Sequence, residues 1–162
     1  MKARVITSAI SIAMLSFAIS AGAQDRLLRF DGGIGVHPVS GISAGAPVLN
    51  VVRGTQPGGA PWVIERLRAD IRVDGSISAD GRGLLLAGGN SIGTNGGQSV
   101  RAILFCGTVS HTTTVTGVPL EADGDFRIDD ALTPPPPSPC NDPVLLIANP
   151  AGRWFAAGIL KQ

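Results

Sequence analysis

Glycine and proline recur so often along this chain that helices have little room to form. There are 22 glycines and 12 prolines among 162 residues, and inside a helix a glycine costs about 1 kcal/mol and a proline about 3 kcal/mol relative to alanine. Between them lie short runs rich in Val, Ile and Leu. Apolar runs of that length, bounded by turn residues, are the pattern of strands.

The clearest alternation falls at residues 67–77, where Leu67, Ala69, Ile71, Val73 and Ile77 share one face and Arg66, Arg68, Asp70, Arg72, Asp74 and Ser76 the other. That spacing predicts one half-buried strand. Asp80-Gly81 and Gly83 then read as a turn into the apolar run 84–87, making a hairpin of the two segments. Residues 88–97 are polar and glycine-rich and read as a long surface loop. Residues 100–106 form a central strand, since both alternation sets are apolar apart from Arg101. Residues 111–118 follow as a strand of Thr and Val, and Asp123-Gly124 turns into another at Phe126 and Ile128. A last hairpin joins 144–147 to 154–159 through Asn149-Pro150-Ala151-Gly152. Short strands at 27–30 and 48–52 flank a glycine-rich loop at 31–47. The sum is eight or nine strands at turn-spaced intervals. That predicts an all-β chain folded as an antiparallel two-sheet sandwich, immunoglobulin-like or prealbumin-like in its Greek-key order, with a small β-barrel as the alternative.

The amino terminus carries a different signal. Lys2 and Arg4 precede an apolar run over 5–19, and Ala21-Gly22-Ala23 places small residues where signal peptidase cuts. Residues 1–23 therefore read as a cleaved export signal, too short to span a bilayer comfortably. The remaining residues 24–162 have the size of one domain. No cysteine stands at 24 to accept a lipid. After cleavage, eleven basic residues face twelve acidic ones, a balance that gives no long-range attraction to nucleic acid or anionic lipid. The cluster Arg66, Arg68 and Arg72 is interrupted by Asp70 and Asp74 and reads as a solvated face.

Cys106 and Cys140 are the only cysteines. In an exported chain an isolated pair is most simply one disulfide. Closing a loop of about 35 residues is worth roughly 3 to 4 kcal/mol in the chain-entropy model. Within that loop, residues 134–139 are prolines broken only by Ser138, an extended polyproline II segment of roughly 19 Å suited to a stiff crossover.

Residues able to do chemistry occur singly. Gly41-Ile42-Ser43-Ala44-Gly45 matches the GxSxG of serine hydrolases, but that nucleophile sits on a turn leading into a helix, and the sequence after it is strand-like. A hydrolase would pair Ser43 with His111 or His37 and an aspartate. The two histidines lack a second His or Cys at metal-ligand spacing. Asp123, Asp125, Asp129 and Asp130 form the best acidic cluster, without the spacing of a calcium loop. Gly32-Gly33-Ile34-Gly35-Val36 begins like a calcium-binding β-roll repeat but does not recur. No cofactor motif is present. Four expectations result. The chain is an exported, non-enzymatic binding or structural module, secreted or periplasmic, with no membrane span after cleavage. Its partner is a protein or glycan, not nucleic acid. Recognition would fall to loops 31–47 and 88–97, with His37, Ser43, Asn90, Ser91 and Asn95 as candidate contacts. The competing readings are a small serine hydrolase and a metal-stabilised envelope protein.

Overall fold

Strand alternation over three consecutive neighbours decides which side of this protein is its core. In the computed structural model, which describes residues 25–162, the chain forms thirteen strands. They are β1 (Arg26–Gly35), β2 (Val39–Ser43), β3 (Ala46–Leu49), β4 (Trp62–Val63), β5 (Arg66–Arg72), β6 (Ser76–Arg82), β7 (Leu85–Leu86), β8 (Ser99–Cys106), β9 (Val109–Thr112), β10 (Val118–Pro119), β11 (Phe126–Ala131), β12 (Val144–Ala148) and β13 (Trp154–Leu160). No helix occurs among the described residues. Leu67, Ala69 and Ile71 of β5, Ile77 and Ala79 of β6, and Phe126 and Ile128 of β11 all point inward and are buried.

Nine strands form one antiparallel sheet in the order β10-β8-β12-β13-β1-β5-β6-β11, with β9 also paired to β8. β9 takes the C-terminal half of β8 and β10 its N-terminal end. The opposite edge, β11, comes round to meet them: it contacts β8 and β10, and Thr133, just beyond it, bridges Thr112 of β9. The sheet is thus rolled nearly into a barrel, and its opposed walls pack one hydrophobic cluster as the layers of a sandwich would. Leu104, Leu145, Ile147 and Ala156 supply the wall opposite β5 and β6, and Phe30 of β1 lies beside Ala69 of β5. The β2–β3 and β4–β7 pairs stand outside this sheet.

The connections β5–β6, β8–β9 and β12–β13 are hairpins. The long step is from β11 to β12, across the β8–β9 hairpin, and the proline-rich segment makes it. Its residues Leu132 and Pro136 are buried, the Leu132 amide donates to the Gly75 carbonyl at 2.9 Å, and Pro135 lies against Gly75. The segment therefore closes the end of the barrel where β5–β6 and β8–β9 turn. Cys140 ends it and is disulfide-bonded to Cys106, the last residue of β8, with Cα atoms 5.0 Å apart. Because Val144 pairs with Phe105, the bridge ties two neighbouring core strands at one end, as the sequence predicts.

Three local expectations change. The single strand foreseen at 67–77 is a hairpin: the chain turns at Val73, Asp74 and Gly75, with the Gly75 amide on the Arg72 carbonyl and Val73 exposed. Asp80-Gly81, read as a turn, lies inside β6. Gly81 is there because a Cβ would stand 2.1 Å from the Phe126 ring, which fills that slot. Leu85 and Leu86 consequently pair with Val63 and Trp62 instead of with β5. The strand foreseen at 111–118 is interrupted by a turn at 113–117, its ends belonging to β9 and β10. The export signal at 1–23 lies outside the described residues.

Candidate functional site

Most of the glycine-rich stretch read as a loop at 31–47 is strand. β1 continues to Gly35, where a side chain would collide with the Trp62 carbonyl, and β2 and β3 then form a hairpin that pairs only with itself. Its tip is Ala44-Gly45, both at positive φ (49° and 78°), the two-residue turn geometry that matches strand twist. Ser43 pairs with Ala46 across it. Gly45 therefore serves the turn, and the GxSxG match is a hairpin tip without a following helix.

Asn50 fixes the base of the arm. Its amide N–H donates to the Pro38 carbonyl at 2.8 Å and its side-chain Nδ2 to the His37 carbonyl at 3.0 Å. Its own carbonyl accepts the indole N–H of buried Trp154 at 3.0 Å. Every residue of β2 and β3 is exposed. Residues 32–52 contain no Asp, Glu, Lys or Arg, while Ile34, Val39, Ile42, Val48, Leu49 and Val51 expose large apolar side chains, Ile42 at 77%. Apolar exposure concentrated in one uncharged segment marks an interaction surface more often than chance decoration. Each strand of the arm also keeps one edge unpaired within the described chain, a template for strand addition.

The catalytic pairing fails on geometry. His37 precedes the hairpin and Ser43 sits at its tip, six residues away along extended chain, or roughly 20 Å. His111 is 2% exposed in the barrel wall, its Nδ1 donating to the Pro134 carbonyl at 2.7 Å. Its Nε2 is buried and without a partner among the described residues. A base enclosed in the wall cannot meet a hydroxyl on an external arm. His37 and His111, considered together as metal ligands, are likewise held apart. Among the described residues no three His, Cys, Asp or Glu side chains converge for a metal.

The loop at 88–97 carries no strand, yet the side chains of Thr94 and Asn95 are committed to holding its shape. Asn95 donates to the carbonyls of Leu120 at 3.1 Å and Glu121 at 2.9 Å and accepts from the Gly97 amide. The Ser91 carbonyl accepts from the Thr94 hydroxyl. Asn90 and Ser91 are exposed, with no side-chain hydrogen bond to a described residue. Beside this loop a cleft of about 250 Å³ is lined by Trp62, Phe155 and Arg153. Trp62 and Phe155 stack on each other with centroids 4.2 Å apart and are 5% and 3% exposed, so neither offers a free ring face for a sugar to stack on.

The acidic cluster is spent on local structure. The Arg127 guanidinium at 2.6 Å, and then the Ser78 hydroxyl, hold Asp129 below the ordinary aspartate range. The Thr114 amide does the same for Asp130, and the Ser76 hydroxyl and amide for Asp74. Asp129 in turn raises Arg127. Asp125 accepts from the Gly83 amide and Asp123 from the Asp125 amide. On the outer face of β1, β5, β6 and β11 the register aligns Asp31, Arg68, Asp80 and Arg127 in one row of alternating sign. Asp31 also faces Arg29 and Lys161. Arg66, Arg68 and Arg72 thus belong to a mixed, solvated face, whose exposed pairs contribute about 0–1 kcal/mol each.

The hairpin arm is the feature the sequence reading missed, and the only local signal for it was Ala44-Gly45 between two short runs containing β-branched residues. No family model matches this chain, and no curated protein or solved structure is significantly similar to it.

Proposed function

We propose that this protein is an exported, non-enzymatic binding module that engages a protein partner through the β2–β3 arm. The carrying observation is the arm itself: an uncharged, apolar, fully exposed hairpin held at its base by Asn50 and Trp154. A hairpin alone is marginal in water, so an anchored arm with free edges supports docking onto another polypeptide. The mutual burial of Trp62 and Phe155 favours a protein over a glycan. Export rests on the leader-like residues 1–23 and on the Cys106–Cys140 bridge, which suits an oxidising compartment. No helix among the described residues is long and apolar enough to cross a membrane.

The test is photo-crosslinking from position 42 in the native host, followed by the same capture, from the same position, with Val39→Asp and Val48→Asp together. A specific adduct lost in the double variant, with the melting temperature unchanged, is the expected result. Adducts that persist in the double variant, or hydrolysis by purified protein that is abolished by Ser43→Ala, would refute the reading.

A further inference from the structure

A second surface of the barrel carries a different chemistry. On β8 Arg101, Ile103 and Phe105 lie on the face away from Ala102 and Leu104, opposite Ala148, Leu146 and Val144 of β12, and all of them but Arg101 and Val144 are buried. A groove of about 430 Å³ runs over them, walled by β9 on one side and by the turns near residues 54–56 and 151–153 on the other. That volume lies in the range of small-molecule sites.

Arg101 and Arg153 both line this groove. Of the eleven cations of the described residues six are ion-paired, and Arg101 and Arg153 are two of the five, with Arg53, Arg66 and Arg72, that have no carboxylate partner there; they are the two that share a cavity. Arg101 is the one charged residue of an otherwise apolar central strand, half-buried, and its Nε is buried without a hydrogen-bond partner. Two guanidinium groups lining one cavity, one of them with a buried and unpartnered Nε, favour an anion between them. The remaining groups fit such an anion. Thr55, Ser110 and Thr112 bring hydroxyls to the walls, and Ile103 and Phe105, 5% and 6% exposed, present only their edges at the floor.

We propose that this groove binds a small amphipathic oxyanion, with its head on Arg101 and Arg153 and its apolar body along Ile103 and Phe105. Guanidinium recognises carboxylate and phosphate oxyanions by the same forked donors, so the head is a carboxylate or a phosphate ester. The site is separate from the arm, and its failure would leave the docking reading untouched.

Titration of the disulfide-intact protein with octanoate, octyl phosphate, octanol and inorganic phosphate, read by calorimetry and by thermal shift, tests this. Octanoate or octyl phosphate should bind and octanol should not, and the tighter of the two anions identifies the head. Arg153→Gln, an exposed position that does not threaten folding, should weaken binding about tenfold, as loss of one charged hydrogen-bonding group does. Arg101→Gln should do at least as much, and added salt should weaken the wild type. Octanol binding as well as octanoate, inorganic phosphate binding as well as octyl phosphate, or no binding at millimolar concentration would each overturn the proposal. So would unchanged affinity in Arg153→Gln.

Discussion

Breaking the Cys106–Cys140 bond should cost this protein a large part of its stability without changing its fold. The bond spans 34 positions, and a loop of that size restricts the unfolded chain by an entropy worth about 4 kcal/mol at 25 °C. Small domains are stable by only about 5–15 kcal/mol. With an unfolding entropy near 2.1 cal/mol/K per residue over the described chain, the midpoint should fall by about 13 °C. Reduction of the wild type isolates this effect, because both sulfurs remain in place. Cys106→Ala with Cys140→Ala adds about 1 kcal/mol or more, since both residues are buried and their packing is lost too. Buried Trp62 and Trp154 report unfolding by fluorescence in urea, so midpoint and slope come from one titration. A cross-link also keeps the denatured state compact, so the slope should rise on reduction. A reduced protein whose stability falls by less than about 1 kcal/mol, with native circular dichroism, would show that the loop-entropy reasoning does not apply here.

Three further outcomes can be measured. Gly81→Ala should destabilise by at least about 1–3 kcal/mol because its Cβ would meet the Phe126 ring at 2.1 Å; adding Phe126→Leu should recover part of the loss, and additive losses in the double variant would contradict the packing. Asn50→Ala should accelerate amide exchange across residues 38–50 while leaving β5 and β6 protected, since it removes the side-chain bond to the His37 carbonyl and keeps only the backbone bonds to Pro38 and Trp154; uniform exchange changes would count against a local anchor. Asp74, Asp129 and Asp130 sit below the ordinary aspartate value of 3.8 in the folded protein. The unfolded state therefore binds protons first, and their stabilisation is complete above about pH 4 and lost as pH falls through the lower folded values. Melting temperature should decline on acidification in that window, and replacing the three by Asn should flatten the decline.

Local pattern was enough to read this chain as built of strands, because dense glycine and proline disfavour helices and β-branched runs suit a pleated surface. The strands at 100–106, 144–147 and 154–159 and the pairing of the only two cysteines were legible too, since each depended on local pattern or on counting. The tertiary structure alone decided that Val73 marks a turn and not one more buried position, because alternation reads the same through a tight hairpin as along one strand. It decided that Gly81 is a slot for Phe126, a contact made across 45 positions of chain. The arm at Val39–Leu49 and the groove holding Arg101 and Arg153 are of the same kind. Exposure and convergence are properties of how distant segments are arranged, and no local window of sequence contains them.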